Sequence, residues 1–245
     1  MADYANVVRG RLADMQQADV FLPRQNPTFG NPSFSNAPQR ILIVRLSPFS
    51  DVNRSLPHLF LFQTVRRALP QAFIDLAFFP ARAERAWFER EGIPPLIGVA
   101  SLHSIEDFDL VLVSNAYVLE LINVPYLWLR SGLPLFASER GAAHPFLILG
   151  GSNAMASQAL LRVTERGADA LVDGVFFGEG EQDVGRLASI LVQEHKSKGA
   201  RLAQAAAEVD GFWAAGISDS VVKATCEVPD AEFLPSHYPL LNSEE

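Results

Sequence analysis

Residues 146–160, "FLILGGSNAMASQAL", decide the fold. Four apolar residues run straight into Gly150 and Gly151, and Ser152 and Asn153 then open a segment with helical spacing, 155–166. An apolar run without polar alternation fits a strand buried on both faces. Two residues without side chains at the strand-to-helix joint have two readings: a tight turn, or a backbone that something must approach closely. The same grammar repeats outward. "RILIVRL" (40–46), "AFIDLAFF" (72–79), "FDLVLVS" (108–114), "PFLILGG" (145–151) and "ALVDGVFFG" (170–178) read as strands. Helical segments lie between and after them at 53–68, 81–91, 119–130, 155–166 and 181–196.

Buried strands alternating with helices predict an α/β fold: a doubly wound, mainly parallel five-stranded sheet, flavodoxin-like in order 2-1-3-4-5, with helices on both faces. "EGIPP" (91–95) and "SGLP" (131–134) put glycine at helix ends with proline just after, as left-handed helix termini require. The segment 119–130 is apolar around most of its circumference, which predicts burial on more than one side, and Pro125 predicts a kink or break near Val124. Ahead of the sheet, residues 1–39 hold an amphipathic helix near Tyr4 to Met15, with Val7, Val8, Leu12 and Met15 at helical spacing, and an extended strap. Pro23, Pro27, Pro32 and Pro38 keep the strap from being helical, and Phe21, Phe29 and Phe34 are placed to pin it to the body. The α/β domain spans 40–198. An extension, 199–245, carries a helix "RLAQAAAEV", a small C-terminal hairpin of "GFWAAG" and "VVKATCEV", and an end in mid-connection.

The chain has 245 residues with 49% apolar and 20% charged, enough to bury a real core. A formal charge of −8, with Arg66-Arg67 the longest basic cluster, excludes a phosphate-tracking nucleic-acid surface. No apolar run approaches the ~20 residues that span a bilayer, and the amino terminus lacks the apolar core of a signal peptide, so the expected compartment is the cytoplasm. The single cysteine, Cys226, rules out an internal disulfide or a multi-thiolate metal site and reads as a buried thiol. His58, His103, His144, His195 and His237 have no metal-ligand spacing, so no metal site is expected.

In an open parallel sheet, ligands bind outside the carboxyl ends of the strands. The loops that matter are "SPFSDVNRS" (47–55), "SNAYV" (114–118), "GGSNA" (150–154) and "GEGEQ" (178–182). Glycines there remove the Cβ atoms that hold a ligand off the backbone, while Ser152 and Asn153 can cap a helix or bind a polar group. Glu179 and Glu181 stand where a helix starts, and capping alone accounts for them. A GxGxxG turn after the first strand, a GxxxxGK[ST] loop and a GxSxG elbow are all missing, which argues against NAD, P-loop nucleotides and hydrolase chemistry.

"GGSNA", "VFFGEGE" and "VLVSNAYVLELINVPYLWLRSGLPLFASERG" together resemble the N-terminal cobalamin-binding-type domain of a class of radical SAM proteins, over about residues 40–196. The resemblance implies strand ends that face a corrinoid, and an adjoining catalytic domain whose [4Fe–4S] cluster cleaves S-adenosylmethionine. Such a cluster needs three thiolates in CxxxCxxC spacing, which Cys226 alone does not supply. The catalytic domain is therefore a partner, in cis or in trans. Many cobalamin domains also carry DxHxxG after the first strand. Here Asp51 matches, but Asn53 stands for the histidine and Leu56 for the glycine, so a corrinoid is held without a histidine lower ligand. The resemblance further matches Ser114 to a second motif's serine and Gly150-Gly151 to the paired glycines. His58 falls inside a helix and is not a ligand. The candidate cofactor-binding residues are Ser47, Asp51, Asn53, Ser114, Asn115, Gly150, Gly151, Ser152, Asn153, Gly178, Glu179 and Gly180. Two other functions stay open: an interaction module that has lost its ligand and docks partners or a second copy as a homo-oligomer, and a flavin or nucleotide binder.

Overall fold

Along β1 (Arg40–Arg45) neighbouring side chains leave for opposite faces of a sheet: Ile41 and Ile43 enter one apolar core, Leu42 and Val44 another. The same division runs through β2 (Phe73–Phe78), β3 (Leu110–Ser114) and β4 (Phe146–Gly150), which is why their sequences are largely apolar; the exception inside β2 is Asp75, fully buried and accepting hydrogen bonds from the N–H groups of Leu76, Ala100 and Ser101. The computed structural model describes residues 4–16, 18–21, 30–53, 55–165 and 167–226. Four more strands complete it: β5 (Leu161–Thr164), β6 (Gly167–Ala170), β7 (Gly174–Phe176) and β8 (Phe212–Ala214). The main sheet has six strands in the order β2-β1-β3-β4-β7-β8. The first five are parallel, in the order expected from the sequence, and β8 adds an antiparallel edge beside β7.

The helices are α1 (Tyr4–Arg9), α2 (Phe49–Val52), α3 (Pro57–Ala68), α4 (Arg82–Glu91), α5 (Asn123–Arg130), α6 (Asp183–Leu191) and α7 (Lys198–Glu208). Helices α3, α6 and α7 cover one face, and α5 covers the other. Several expected elements change. The helix expected from Asn53 begins instead at Pro57, a residue suited to a first helical position, after the separate short α2. The segment 119–130 breaks into a 3-10 turn, Val118–Ile122, and α5; Pro125 then lies in the first turn of α5, where its missing N–H costs nothing. Its burial is one-sided: Val124, Leu127 and Trp128 are in the core, whereas Leu119, Ile122 and Leu129 face out.

The helix expected over 155–166 is absent. Residues Ala154–Leu160 form a 3-10 helix, with Ala154, Ser157 and Leu160 buried at a spacing of three, the period of that helix. The β-branched "LRVT" then pairs with Gly167–Ala170 as an antiparallel two-stranded ribbon. At the other end the expected C-terminal hairpin does not form a ladder of its own. The chain does fold back, with Gly211 N–H bonded to the Val222 carbonyl at 2.7 Å, but β8 pairs with β7 and Ala224 bridges Gly178 in parallel. Leu202, Ala205, Phe212 and Ala224 complete the core on the α3–α6 face.

The amino-terminal segment packs largely as its pattern implies. Val8 is buried against Trp87 and Phe88, with Tyr4, Leu12 and Met15 beside them, while Val7 is exposed. In the strap, Phe34 stacks on His103 at 3.8 Å and meets Phe73 and Phe108 edge-on at 5.0 and 5.4 Å. Asn31 pairs with the outer edge of β2, donating to the Ile74 carbonyl at 2.8 Å and accepting its N–H at 2.9 Å, which blunts that edge. Pro23, Pro27 and Phe29 lie outside the described residues.

Candidate functional site

Parallel strands end on one side, and the carboxyl ends of β3, β4 and β7 open into a cleft of about 280 Å3 between α3 and α6. Its walls are apolar: Phe60, Leu61, Leu112, Ile148, Phe176, Val184 and Leu187. Ser114, Gly150, Gly151, Ser152, Gly178, Glu179 and Gly180, all singled out from the sequence, line it, with Glu181 at the same mouth. A second hollow of about 600 Å3 adjoins it through Gly151, Ser152, Gly178 and Glu179 and extends over Met155, Phe177 and Val221. A deep apolar slot thus continues into a wider shelf across the strand tips. Among the described residues no Lys or Arg lines the slot, and Lys223 borders the shelf.

The glycines divide by role. Gly151 has φ +106°, and a Cβ there would overlap the carbonyl oxygen of Asn115 in the neighbouring loop. Gly178 has φ +115°, and its Cβ would overlap the carbonyl of Ala224. What comes close to these two backbones is therefore another stretch of the same chain. Gly150 differs, since a Cβ there would meet only Phe176, at an ordinary 3.6 Å.

Three of the polar candidates shape a loop and do not line the cavity. Glu120, a carboxylate that the sequence reading passed over, is buried at the centre of the turn after β3. It accepts hydrogen bonds from Ser47 Oγ, from Asn115 Nδ2 at 3.0 Å, and from the N–H groups of Ala116 at 2.8 Å and Tyr117 at 3.0 Å. Asn153 Nδ2 donates to the Ala116 carbonyl, tying the loop after β4 to the same turn. Ser47, Asn115 and Asn153 are thus fasteners between loops. Asp51 and Asn53 do not line either hollow: α2 turns Val52 into the core and leaves Asp51 exposed, accepting from Ser50 Oγ at 2.9 Å.

Beneath the cleft lies Arg45, the last residue of β1, almost wholly buried with Nη1 3.3 Å from Ser114 Oγ. His58, fully buried in α3 and edge-on to Phe78 at 5.5 Å, has its pKa lowered to about 3 by burial and by the Arg45 charge. A ring kept neutral and enclosed in the core is a packing element. Among the described residues no group of three or more His, Cys, Asp or Glu side chains is arranged to hold a metal ion. Cys226 is half-buried, and its N–H donates to Glu179 Oε2 at 2.6 Å at the cleft mouth.

A further hollow, about 700 Å3, is at the opposite end of the sheet and is lined by Arg140, Arg162, Lys198, Asp169 and Asp173 among others. Its charges are largely spent on one another. Asp173 accepts from Arg140 Nε at 3.3 Å and from the Leu147 N–H at 2.7 Å, with Lys198 Nζ 3.4 Å away, and Arg162 meets Asp169 at 2.8 Å. Burial lowers the pKa of Arg140 and of Lys198, and the Asp173 charge opposes the fall. This network holds the amino ends of β4 and β7 together.

No helix among the described residues is long and apolar enough to cross a membrane. No curated protein and no solved structure matches the chain. The family model for radical SAM proteins, N-terminal, matches residues 59–214, from α3 through β8. That stretch is well over half of the chain and includes most of the residues that line the slot and the shelf, and the chain therefore belongs to the family of N-terminal domains of radical SAM proteins.

Proposed function

We propose that this domain holds a corrinoid across the carboxyl ends of β3, β4 and β7 and serves a radical SAM catalytic domain, in cis or in trans, that supplies the [4Fe–4S] cluster and S-adenosylmethionine. The observation that carries the reading is the joined pair of hollows, a narrow apolar slot of about 280 Å3 opening on a shelf of about 600 Å3. A cobalamin has that division of shape: a flat aromatic base on a tail, and a broad macrocycle fringed with carboxamides. Phe60, Leu112, Ile148, Phe176, Val184 and Leu187 suit the aromatic base, and Gly150 leaves the slot's rim free of a side chain. Glu179 and Glu181 at the mouth are acceptors for carboxamide N–H groups. Among the described residues no histidine lines the slot or the shelf. Bound cobalamin would supply a metal-centred carrier for a methyl group; this chain's own residues bind and orient it and exclude water from its tail.

Hydroxocobalamin added to the purified protein is expected to shift its visible spectrum and to co-elute with it on gel filtration. Gly150→Leu, which fills the slot's rim, should abolish both effects while leaving the fold intact by circular dichroism. No spectral change and no co-elution at high micromolar concentration sinks the reading. The second function, an interaction module without ligand, is favoured by one observation of its own: the apolar side chains left exposed around the cleft.

A further inference from the structure

The amino ends of the strands carry a hollow of their own. At about 700 Å3 it is within the usual size range of small-molecule sites. Its walls come from the 3-10 turn Ala137–Glu139, β6, the first turns of α7 and the turn that follows β8. Among the described residues Arg140, Arg162 and Lys198 line it together with Glu165, Asp169 and Asp173. Most of these charges already have partners. Asp169 accepts from Ser138 Oγ at 2.7 Å, from the Ser138 and Ala170 N–H groups at 3.2 and 2.9 Å, and from Arg162 Nη2 at 2.8 Å. Lys198 Nζ donates to the Pro145 carbonyl at 2.8 Å besides facing Asp173. Arg140 is the exception. Its side chain is wholly buried; Nε goes to Asp173 and Nη1 to the carbonyls of Pro134 and Leu135 at 3.0 and 3.1 Å, but Nη2 has no hydrogen-bond partner among the described residues. A buried charged donor left unmatched is costly, and an acceptor that reaches it recovers that cost.

We propose that this hollow binds an organic monocarboxylate, its carboxylate on Arg140 Nη2 and its apolar body against Leu202, Ala215 and Ile217. Each part of the ligand answers a feature of the walls. A guanidinium is planar and charged, the geometry that suits a carboxylate oxygen. Helix α7 starts at the hollow with Lys198 and Gly199, so the positive end of its dipole adds to the attraction. Glu165, Asp169 and Asp173 limit the charge: a dianion such as phosphate would be repelled by them about twice as strongly as a monoanion. Leu202, Ala215 and Ile217 favour a ligand with hydrocarbon to bury over a bare ion. The site is at the far end of the sheet from the strand-tip cleft and stands whether or not a corrinoid is bound.

Titration calorimetry of the purified protein with sodium benzoate, and separately with benzamide and inorganic phosphate, tests it. Benzoate is expected to bind at one site per chain with a Kd of about 1 mM or tighter, a modest affinity for so small a ligand. Benzamide has the same shape without the charge and phosphate has the charge without the apolar body; neither should give saturable heat at up to about tenfold that concentration. Two variants locate the site. Arg140→Lys keeps a cation for Asp173 but removes the planar fork, and Ile217→Glu adds a carboxylate to the wall at a side chain that is 44% exposed. Each should weaken benzoate binding about tenfold or more. Ile217→Glu should melt within about 2 °C of the parent, so it decides the matter even where Arg140→Lys does not fold. No benzoate binding, which would mean that solvent alone meets Arg140 Nη2, overturns the proposal. Equal binding of benzamide, tighter binding of phosphate, or unchanged benzoate affinity in either folded variant also overturns it.

Discussion

Replacing Gly151 by alanine should unfold the carboxyl-end loops from within, and the size of the effect can be worked from the backbone. At φ +106° an L-residue occupies a region that only glycine adopts freely, at a cost of about 1–3 kcal/mol. The new Cβ would also overlap the Asn115 carbonyl, and Asn115 is itself fixed by its own N–H on the Gly150 carbonyl at 2.8 Å. Backbone held on both sides cannot retreat cheaply, and overpacking of this kind costs a further ~1–3 kcal/mol. The expected loss is about 3 kcal/mol or more, which for a chain of this length lowers Tm by roughly 6–12 °C. Gly150→Ala is the internal control. Its Cβ would sit 3.6 Å from Phe176, and φ is not in the left-handed region, so stability should stay within about 1 kcal/mol of the parent. Urea titrations followed by tryptophan fluorescence, with thermal melts alongside, measure both variants. If Gly151→Ala melts within 2 °C of the parent, or if the two alanine variants fall equally, the distinction between a glycine spent on loop packing and one facing the cleft is wrong.

Three further outcomes follow from buried polar groups. His58, neutral in the fold with a pKa of about 3 against an unfolded value near 6.5, lets the unfolded chain bind the extra proton, so stability present above pH 6.5 is lost as pH falls toward 3. Between pH 6.5 and 4 that loss is about 3 kcal/mol, and His58→Gln should flatten this limb of stability plotted against pH; an unchanged slope refutes it. Glu120→Gln keeps the shape but replaces one acceptor oxygen by a donor facing N–H groups, and should cost about 1–3 kcal/mol, with faster amide hydrogen exchange at Ala116 and Tyr117 as the local signature. Asp173→Ala leaves the buried guanidinium of Arg140 and the Lys198 ammonium without their shared carboxylate, and should cost about 3–5 kcal/mol by chemical denaturation, whereas Glu194→Ala at an exposed position should cost almost nothing.

The strands were legible because most of their residues must be apolar on both faces; Arg45 and Asp75 are the buried charged exceptions. Even the order of the five parallel strands followed from their alternation with helices. Misreading set in where the chain leaves β4. Ala154, Ser157 and Leu160 repeat every third residue, and Leu161 and Val163 follow closely; to the eye this merges into one α-helix. The distinction turns on whether Leu161 and Val163 are buried. They are exposed, and β-branched Val163 belongs to a ribbon. A spacing of three, as against three and four, was the available signal. Glu120 left no such trace, since two of its donors are backbone N–H groups and a third, Ser47, lies in a different loop.

The glycine motif shows why the candidate site was legible only in part. Sequence records that a Cβ is excluded at Gly151 and at Gly178 but not which neighbour excludes it, and at both positions the neighbour is a loop of the same chain. Under the proposed function that packing serves binding indirectly. The loop after β3 is locked to the loop after β4 through Gly151 and Asn153, and the loop after β7 is locked to residues 222–226 through Gly178. The slot and the shelf are therefore borders of one interlocked set of loops. A change that frees any one of the loops should loosen the fold and the cofactor contacts together, whereas a change confined to the slot wall should affect only the contacts. Gly151→Ala and Gly150→Leu separate these cases: the first should lower both stability and the response to hydroxocobalamin, the second only the response, and equal losses of stability would mean that the two glycines do not differ in role.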